Sequence, residues 1–358
     1  RIYAKMSPFE VLFLVSFCGV PYSLYVSSIW LYLLTLFFLY ICLELTKRQR
    51  KEEIKINGRG VVISGCDTGF GHDLAKRLDV LGFTVFAGCL HPKGDGAKAL
   101  ANKTSKRVHI VSMDVGNDNS MAEALDYVKT KLPKKGIWGI VSNAGFNVMG
   151  DVEWLTIGLV HKAMNVNFCG MIRLTKAFLP FVRKSQGRVV IVSSVKGCYP
   201  CPGDSAYHAT KFALETVADS LRLEMIKFDV KVSVIEPGDF SAATACQNKV
   251  HFKRYREEAE EMWREASDSA RTTYGKRYLE AMIEKQSASL NSYPTTEPVI
   301  DALEDALINL TPRTRYLVGG TNKMFDINAM AARLHPYLPT WLSDWLYAKW
   351  TGCDKFPE

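Results

Sequence analysis

What this chain of 358 residues lacks narrows it first. Its seven histidines include no H-x-x-x-H pair and join no Cys/His cluster, which argues against a metal centre. Its nine cysteines show no framework spacing, and Cys18 and Cys42 lie inside an apolar run, which suggests a reducing compartment rather than a disulfide scaffold. Cys198 and Cys201 do form a C-x-x-C, but in a Pro-containing loop instead of the helix N-terminus that a redox thiol needs. The formal charge is +8, yet the basic residues are scattered and no aromatic-interleaved basic stripe is present, so nucleic acid is not an expected partner.

Charge is absent altogether from Val11 to Leu43. A helix of that length would span about 50 Å at ~1.5 Å per residue, against ~30 Å of bilayer hydrocarbon. Gly19 and Pro21 mark a natural break, leaving a crossing helix from about Leu24 to Leu45 behind a shorter re-entrant or interfacial piece. The run is too long for the apolar region of a signal peptide. Residues 1–51 are therefore expected to be a membrane anchor with a basic flank. Lys47, Arg48, Arg50 and Lys51 follow the run at once, against Arg1 and Lys5 before it. For a single span this places the body on the cytosolic or matrix side, with the basic cluster against anionic lipid.

From Gly58 onward, short β-branched runs alternate with amphipathic stretches. Val61–Ser64, Thr84–Gly88, Val108–Met113, Ile137–Ser142, Val189–Ser193 and Val230–Ile235 read as buried strands, with a last one near Tyr316–Val318. Gly71–Leu81, Asn119–Leu132, Thr156–Lys184 and Ser205–Phe228 read as helices. Such alternation predicts an α/β fold, a doubly wound parallel sheet of about seven strands over residues 58–320. Residues 239–293 interrupt it with a polar, charge-rich helical excursion, expected to be a lid over the strands' carboxyl ends, where such sheets bind ligands. The tail, 321–358, gathers Trp341, Trp345 and Trp350 beside Tyr337 and Tyr347. These aromatics suit a membrane–water boundary, and equally suit packing on the body or on a neighbouring subunit.

Two constellations carry chemistry. The first strand runs into Gly65-Cys66-Asp67-Thr68-Gly69-Phe70-Gly71 and then a helix. Glycines there allow a tight turn and let backbone amides approach a pyrophosphate. In the second, Tyr207 and Lys211 stand one turn apart on a helix, and Ser194 ends the strand before it. A phenol titrating near ~10 is a poor base at neutral pH, but a neighbouring ammonium favours its phenolate. Tyr207 is thereby a candidate general acid/base, with Ser194 placed to hold a carbonyl or alcohol oxygen.

With Asn143-Ala144-Gly145 closing the fourth strand and Pro237-Gly238 closing the sixth, the set resembles the short-chain dehydrogenase/reductase family over about residues 58–318. The likeness is strongest to its membrane-associated branch, which holds D-3-hydroxybutyrate, retinol and hydroxysteroid dehydrogenases. Phe86-Ala87-Gly88-Cys89-Leu90 and Lys231-Val232-Ser233-Val234-Ile235-Glu236-Pro237-Gly238 carry the hydroxybutyrate likeness, and Thr311-Pro312-Arg313-Thr314-Arg315-Tyr316 is shared with the retinol enzymes. The resemblance implies a Rossmann fold and an NAD-dependent alcohol dehydrogenase working as a dimer or tetramer. It places the enzyme in the mitochondrial inner membrane, or alternatively in that of the endoplasmic reticulum. It gives proton exchange to Tyr207, the nicotinamide ribose to Tyr207 and Lys211, the substrate oxygen to Ser194 and a relay water to Asn167, with Asn165 facing elsewhere. Gly65, Asp67, Gly69, Phe70, Gly71, Asp114, Asn143, Ala144, Gly145, Pro237 and Gly238 would line the cofactor. No acidic side chain ends the second strand to bind a ribose hydroxyl, but nothing basic lies within the glycine loop, Asp67 opposes a 2′-phosphate and Lys93, the only nearby cation, reads as solvated, so NAD is favoured over NADP.

If the substrate is a small 3-hydroxy acid, Lys196 and Asn147 are the candidates for its carboxylate, and Asp204 counts against the idea if it points inward. If it is a lipophilic alcohol, Phe146, Val148, Met149, Trp154 and Tyr199 would wall an apolar pocket.

Overall fold

The computed structural model describes residues 32–40, 52–244, 249–287, 292–321 and 326–352. The chain divides into two compact units, residues 1–54 with 309–311, and residues 55–308 with 312–358. In the first, residues 32–40 are helical, Glu53 bridges antiparallel to Asn309, and the Leu310 amide donates to the Glu52 carbonyl at 2.9 Å. The rest of the expected anchor lies outside the described residues. Among the described residues, no helix is long and apolar enough to cross a membrane.

The second unit is built on β1 (Gly60–Ser64), β2 (Thr84–Cys89), β3 (Val108–Ser112), β4 (Ile137–Ser142), β5 (Arg188–Val192), β6 (Lys231–Pro237) and β7 (Arg315–Val318). They form one sheet in the order β3-β2-β1-β4-β5-β6-β7, every pairing parallel. Strands covered on both faces need no alternation, and β1, β4 and β5 are buried at every position. Val62, Phe86, Ile140, Ile191 and Val234 meet Leu174 and Phe178 in the main core.

Between the strands run α1 (Gly69–Leu81), α2 (Asp95–Lys103), α3 (Asp118–Thr130), α4 (Ile157–Ala163), α5 (Gly170–Ser185), α6 (Ser205–Met225) and, after β6, α7 (Lys249–Glu265), α8 (Asp268–Tyr274), α9 (Lys276–Ser287) and α10 (Glu297–Ile308). After β7 come α11 (Ile327–Leu334) and α12 (Thr340–Thr351). Their starts follow capping chemistry: Asn117 accepts from the Ser120 amide at 3.0 Å and Thr156 from the Leu159 amide at 3.1 Å. The single helix expected over 156–184 is interrupted by a π-helical turn, Met164–Cys169. α2 was not expected.

The order reverses between β1 and β4, since β2 and β3 lie to one side and β5 to β7 to the other. The loops leaving β1, β4, β5 and β6 therefore open at one end of the sheet, around the crevice that such a switch point creates. The glycine loop and the Ser194 loop both belong to that set.

Candidate active site

At the end of β1, Gly65 and Gly69 take φ of +72° and +65°, a left-handed backbone that favours glycine. Gly71 is packed tighter still, since a Cβ there would lie 2.4 Å from the Gly65 carbonyl oxygen. Asn143 braces the loop, its Nδ2 donating to the Ser64 and Gly65 carbonyls at 3.0 Å each. The Ser64 hydroxyl in turn accepts the Asn143 and Ala144 amides at 3.1 Å. The Asn143 side chain thus holds the glycine loop in shape. At the head of α1, Thr68 makes no side-chain cap and the first turn carries no acid. An uncapped N-terminus of a 13-residue helix behind a glycine turn suits a pyrophosphate. Phe70 packs edge-on to Phe240 at 5.6 Å.

Asp67 reaches across to the end of β2, its two carboxylate oxygens accepting the Leu90 and His91 amides at 2.9 Å each. Its negative charge therefore sits where the second strand stops, the expected seat of the adenosine ribose. Asp114 turns the chain after β3, accepting the Gly116 amide at 2.8 Å.

Ser194, at the end of β5, caps a 3₁₀ turn, Val195–Gly197; its Oγ accepts the Lys196 amide at 3.2 Å and donates to the Pro237 carbonyl at 3.3 Å. Ser194 and Pro237-Gly238 are thereby brought together. Tyr207 is half-buried on α6, and the Lys211 ammonium lies 5.5 Å from its ring centroid. Lys211 is buried and donates to the Val192 carbonyl at 3.0 Å. Burial pulls its pKa down to about 8, with Glu215 pushing the other way.

Asn167 sits in the π-helical turn, a geometry frequent at functional sites. Its Oδ1 accepts the Phe146 amide at 3.0 Å, and its Nδ2 donates to the Phe146 carbonyl at 2.9 Å and to Thr210 Oγ1 at 3.1 Å. The side chain thus fixes the Gly145–Asn147 loop to α6. A Cβ on Gly145 would stand 3.2 Å from Asn167 Oδ1 and 3.9 Å from Lys211 Nζ, which puts this loop beside the ammonium. Asn165 turns away, as expected, to the Gly116 carbonyl at 3.0 Å.

Three of the candidate substrate-site side chains are engaged within the protein itself. Lys196 is ion-paired with Asp204, so its charge is already taken up by the residue read as an obstacle to a substrate carboxylate. Burial lowers the Lys196 pKa, but Asp204 outweighs it and holds it above the usual value. Tyr199 is packed beneath the C-terminal helices, stacked on Tyr347 at 5.6 Å with its hydroxyl donating to Asn328 Oδ1 at 2.7 Å. Trp154 likewise stacks on Trp263 of α7 at 5.7 Å.

Arg254 carries no signal that sequence reasoning could have found. From α7 it donates to the Asn147 carbonyl at 2.9 Å and sits 5.1 Å from the Phe146 ring, while Asn147 Oδ1 is buried without a hydrogen-bond partner. Arg254 and Glu258, at i,i+4, had the look of a solvated helix face, and only tertiary packing distinguishes them. An open volume of about 260 Å³ lies between α4 and α7 beside Arg254, but none of Ser194, Tyr207 and Lys211 lines it. Behind the site, Arg315 also went unread: its Nε lies 3.2 Å from Glu215 and 3.3 Å from Glu236. Cys198 joins those two acids within 4.8 Å, a cluster whose counter-charge is Arg315 itself.

The family model for short chain dehydrogenases matches residues 59–253. The mitochondrial D-beta-hydroxybutyrate dehydrogenase of Rattus norvegicus is 42% identical over 265 residues, covering 73% of this chain and 76% of that protein. The 17-beta-hydroxysteroid dehydrogenase type 6 of Bos taurus is 37% identical over 322 residues, 89% of this chain and 97% of that protein. Among solved structures, a short-chain dehydrogenase from Streptomyces avermitilis matches with a TM-score of 0.59 at 21% identity over 84% of this chain and 99% of that one, a likeness of fold.

Proposed function

Since this chain belongs to the short-chain dehydrogenase family and is an oxidoreductase, we propose that it interconverts (R)-3-hydroxybutyrate and acetoacetate with NAD. The buried ammonium of Lys211 beside Tyr207 is the observation that carries the chemistry. NAD, when bound, supplies the hydride acceptor. The glycine loop with Gly65, Asp67, Gly69, Phe70 and Gly71, together with Asp114, Asn143, Ala144, Gly145, Pro237 and Gly238, would hold it, with Tyr207 and Lys211 at its ribose. Tyr207 takes the alcohol proton as a phenolate that Lys211 favours by Coulomb attraction. Ser194, fixed by its bonds to Lys196 and Pro237, orients the substrate oxygen. Asn167 keeps the Gly145–Asn147 loop at the right distance, and its relay water remains part of this proposal.

For the acid's carboxylate, Asn147 lies near the cation of Arg254, while Lys196 would have to share its charge with Asp204. Greater identity to the hydroxybutyrate enzymes supports this substrate. A second reading, a retinol or hydroxysteroid dehydrogenase, is favoured by coverage: such relatives align over 88–90% of this chain, against 73% for the hydroxybutyrate enzymes. We place the enzyme on a membrane through residues 1–51, in the mitochondrial inner membrane or, under the second reading, the endoplasmic reticulum, as a homo-oligomer of two or four copies.

Following NADH formation with 3-hydroxybutyrate, retinol and a hydroxysteroid side by side, with and without phospholipid, tests the reading. We expect turnover of the (R)-hydroxy acid; a higher kcat/KM for retinol or the steroid would transfer the assignment to them. The cofactor preference is tested separately. Asp67→Asn removes the charge at the end of β2 and is expected to narrow the preference for NAD over NADP by about tenfold, on the order of one like-charge repulsion relieved.

A further inference from the structure

We propose that Lys196 is a second positioning cation for Tyr207, and that Asp204 sets how much of its charge the phenol feels. This rests on the reading of Tyr207 as the proton acceptor. The two ammonium groups stand at nearly equal distance from the ring centroid, Lys211 at 5.5 Å and Lys196 at 5.8 Å. They come from separate elements. Lys211 lies one turn along α6, and Lys196 sits on the 3₁₀ turn capped by Ser194, whose Oγ accepts the Lys196 amide at 3.2 Å. Any movement of Ser194 therefore moves Lys196, and a change of substrate oxygen position is felt by both.

Other titratable groups face these two ammonium groups. Asp204, at the head of α6, pairs directly with Lys196, and Cys201 and Asp239 add weaker negative fields on the same ammonium. His208, next along α6, is buried with Nδ1 against the Tyr199 carbonyl at 2.9 Å, and burial pushes it toward the neutral form. Glu215 faces Lys211 from the next turn. A single charge at this distance, at an effective dielectric near ~20, shifts a neighbour's titration by roughly two units, and a paired anion cancels part of that. Lys196 and Asp204 thus form an adjustable dipole beside a catalytic phenol. The same pairing explains why Lys196 is poorly placed to spend its charge on a substrate.

The test uses the full chain as wild type, Lys196→Met, Lys196→Arg and Asp204→Asn. The pH profile of kcat/KM for NAD-linked oxidation is expected to move its acid-side inflection up by about one unit in Lys196→Met and down in Asp204→Asn, while Lys196→Arg stays within a few tenths of wild type. Ultraviolet phenolate absorbance, taken as the difference between each protein and its Tyr207→Phe counterpart, reads the same shift with no turnover at all. That second measurement separates a failure of this inference from a failure of the proposed substrate. Unmoved phenol titration in both Lys196→Met and Asp204→Asn overturns the inference. So does a rise in KM confined to an anionic substrate with the profile unchanged, which would return Lys196 to carboxylate binding.

Discussion

Lys211 is a cation kept almost free of water, and burial is what draws its pKa from 10.5 down to about 8. The sign of the linked stability follows. Between about 8 and 10.5 the unfolded chain holds this proton more tightly than the folded one, so folding is penalised below that window and the penalty fades as pH rises through it. The shift corresponds to roughly 3 kcal/mol of unfavourable burial at neutral pH. Lys211→Met should therefore cut kcat/KM by about 10²–10³ through the loss of phenolate support. Its Tm at pH 7 should nevertheless be no lower than wild type, the orphaned Val192 carbonyl offsetting part of the gain. Thermal melts at pH 7 beside the kinetics check this; a melting point lower by more than about 5 °C would mean that the ammonium is a net stabiliser.

At the level of elements, α6, β6 and β7 meet at a buried acid pair. Glu236 is pushed up to about 7, first by burial and then by Glu215, with Arg315 opposing. A carboxyl whose folded pKa lies above its unfolded value stabilises the fold below about 4.5 and loses that contribution as pH rises through 7. The loss amounts to roughly 3 kcal/mol. Glu236→Gln is expected to match wild type in Tm near pH 4.5 and exceed it at pH 8, whereas Arg315→Met, which leaves two buried acids without their cation, should lose about 3 kcal/mol or more at pH 8. Parallel melts across that pH range decide it, and equal slopes in wild type and Glu236→Gln would dismiss the coupling. None of this was legible in the sequence, because Arg315 and Glu215 are 100 residues apart and no local pattern records the contact. The central strands β1, β4 and β5 were legible because burial on both faces leaves β-branched runs such as Val61-Val62-Ile63 with nothing polar between them. α2 escaped notice because Asp95–Lys103 buries only Ala97 and Leu100 and offers no apolar stripe. The π-helical turn was invisible for a different reason: one extra residue per turn leaves the apolar spacing of 156–184 readable as a single helix. Ser194, Tyr207 and Lys211 could be picked out by type and spacing and Asn167 through the family resemblance, but the partner of Lys196 could not, since the ion pair depends on how the loop after β5 folds back on α6.

For the molecule as a whole, the C-terminal helices show two faces with different chemistry. Tyr347 turns inward to stack on Tyr199, and Ser343 is buried, so one side of α12 is part of the fold. Trp341 and Trp345, one turn apart, are 72% and 57% exposed, with Leu346 at 41% beside them. Two indoles left in water on one face suit the interfacial zone of a bilayer, which is the surface that residues 1–51 are proposed to bring close. The inward face predicts a stability defect and the outward face a partitioning defect, so the two are separable by mutation. Tyr347→Ala should cost about 3 kcal/mol, the usual range for emptying a packed aromatic site, in melts without lipid. Trp341→Ser with Trp345→Ser should leave that melt unchanged while weakening sedimentation with phosphatidylcholine vesicles by about 2 kcal/mol, some thirtyfold in partition coefficient. Vesicle binding undiminished in the double serine variant would assign the exposed face to another copy of the chain instead, and sedimentation equilibrium of that variant, reading a loss of oligomer, would then be the positive sign.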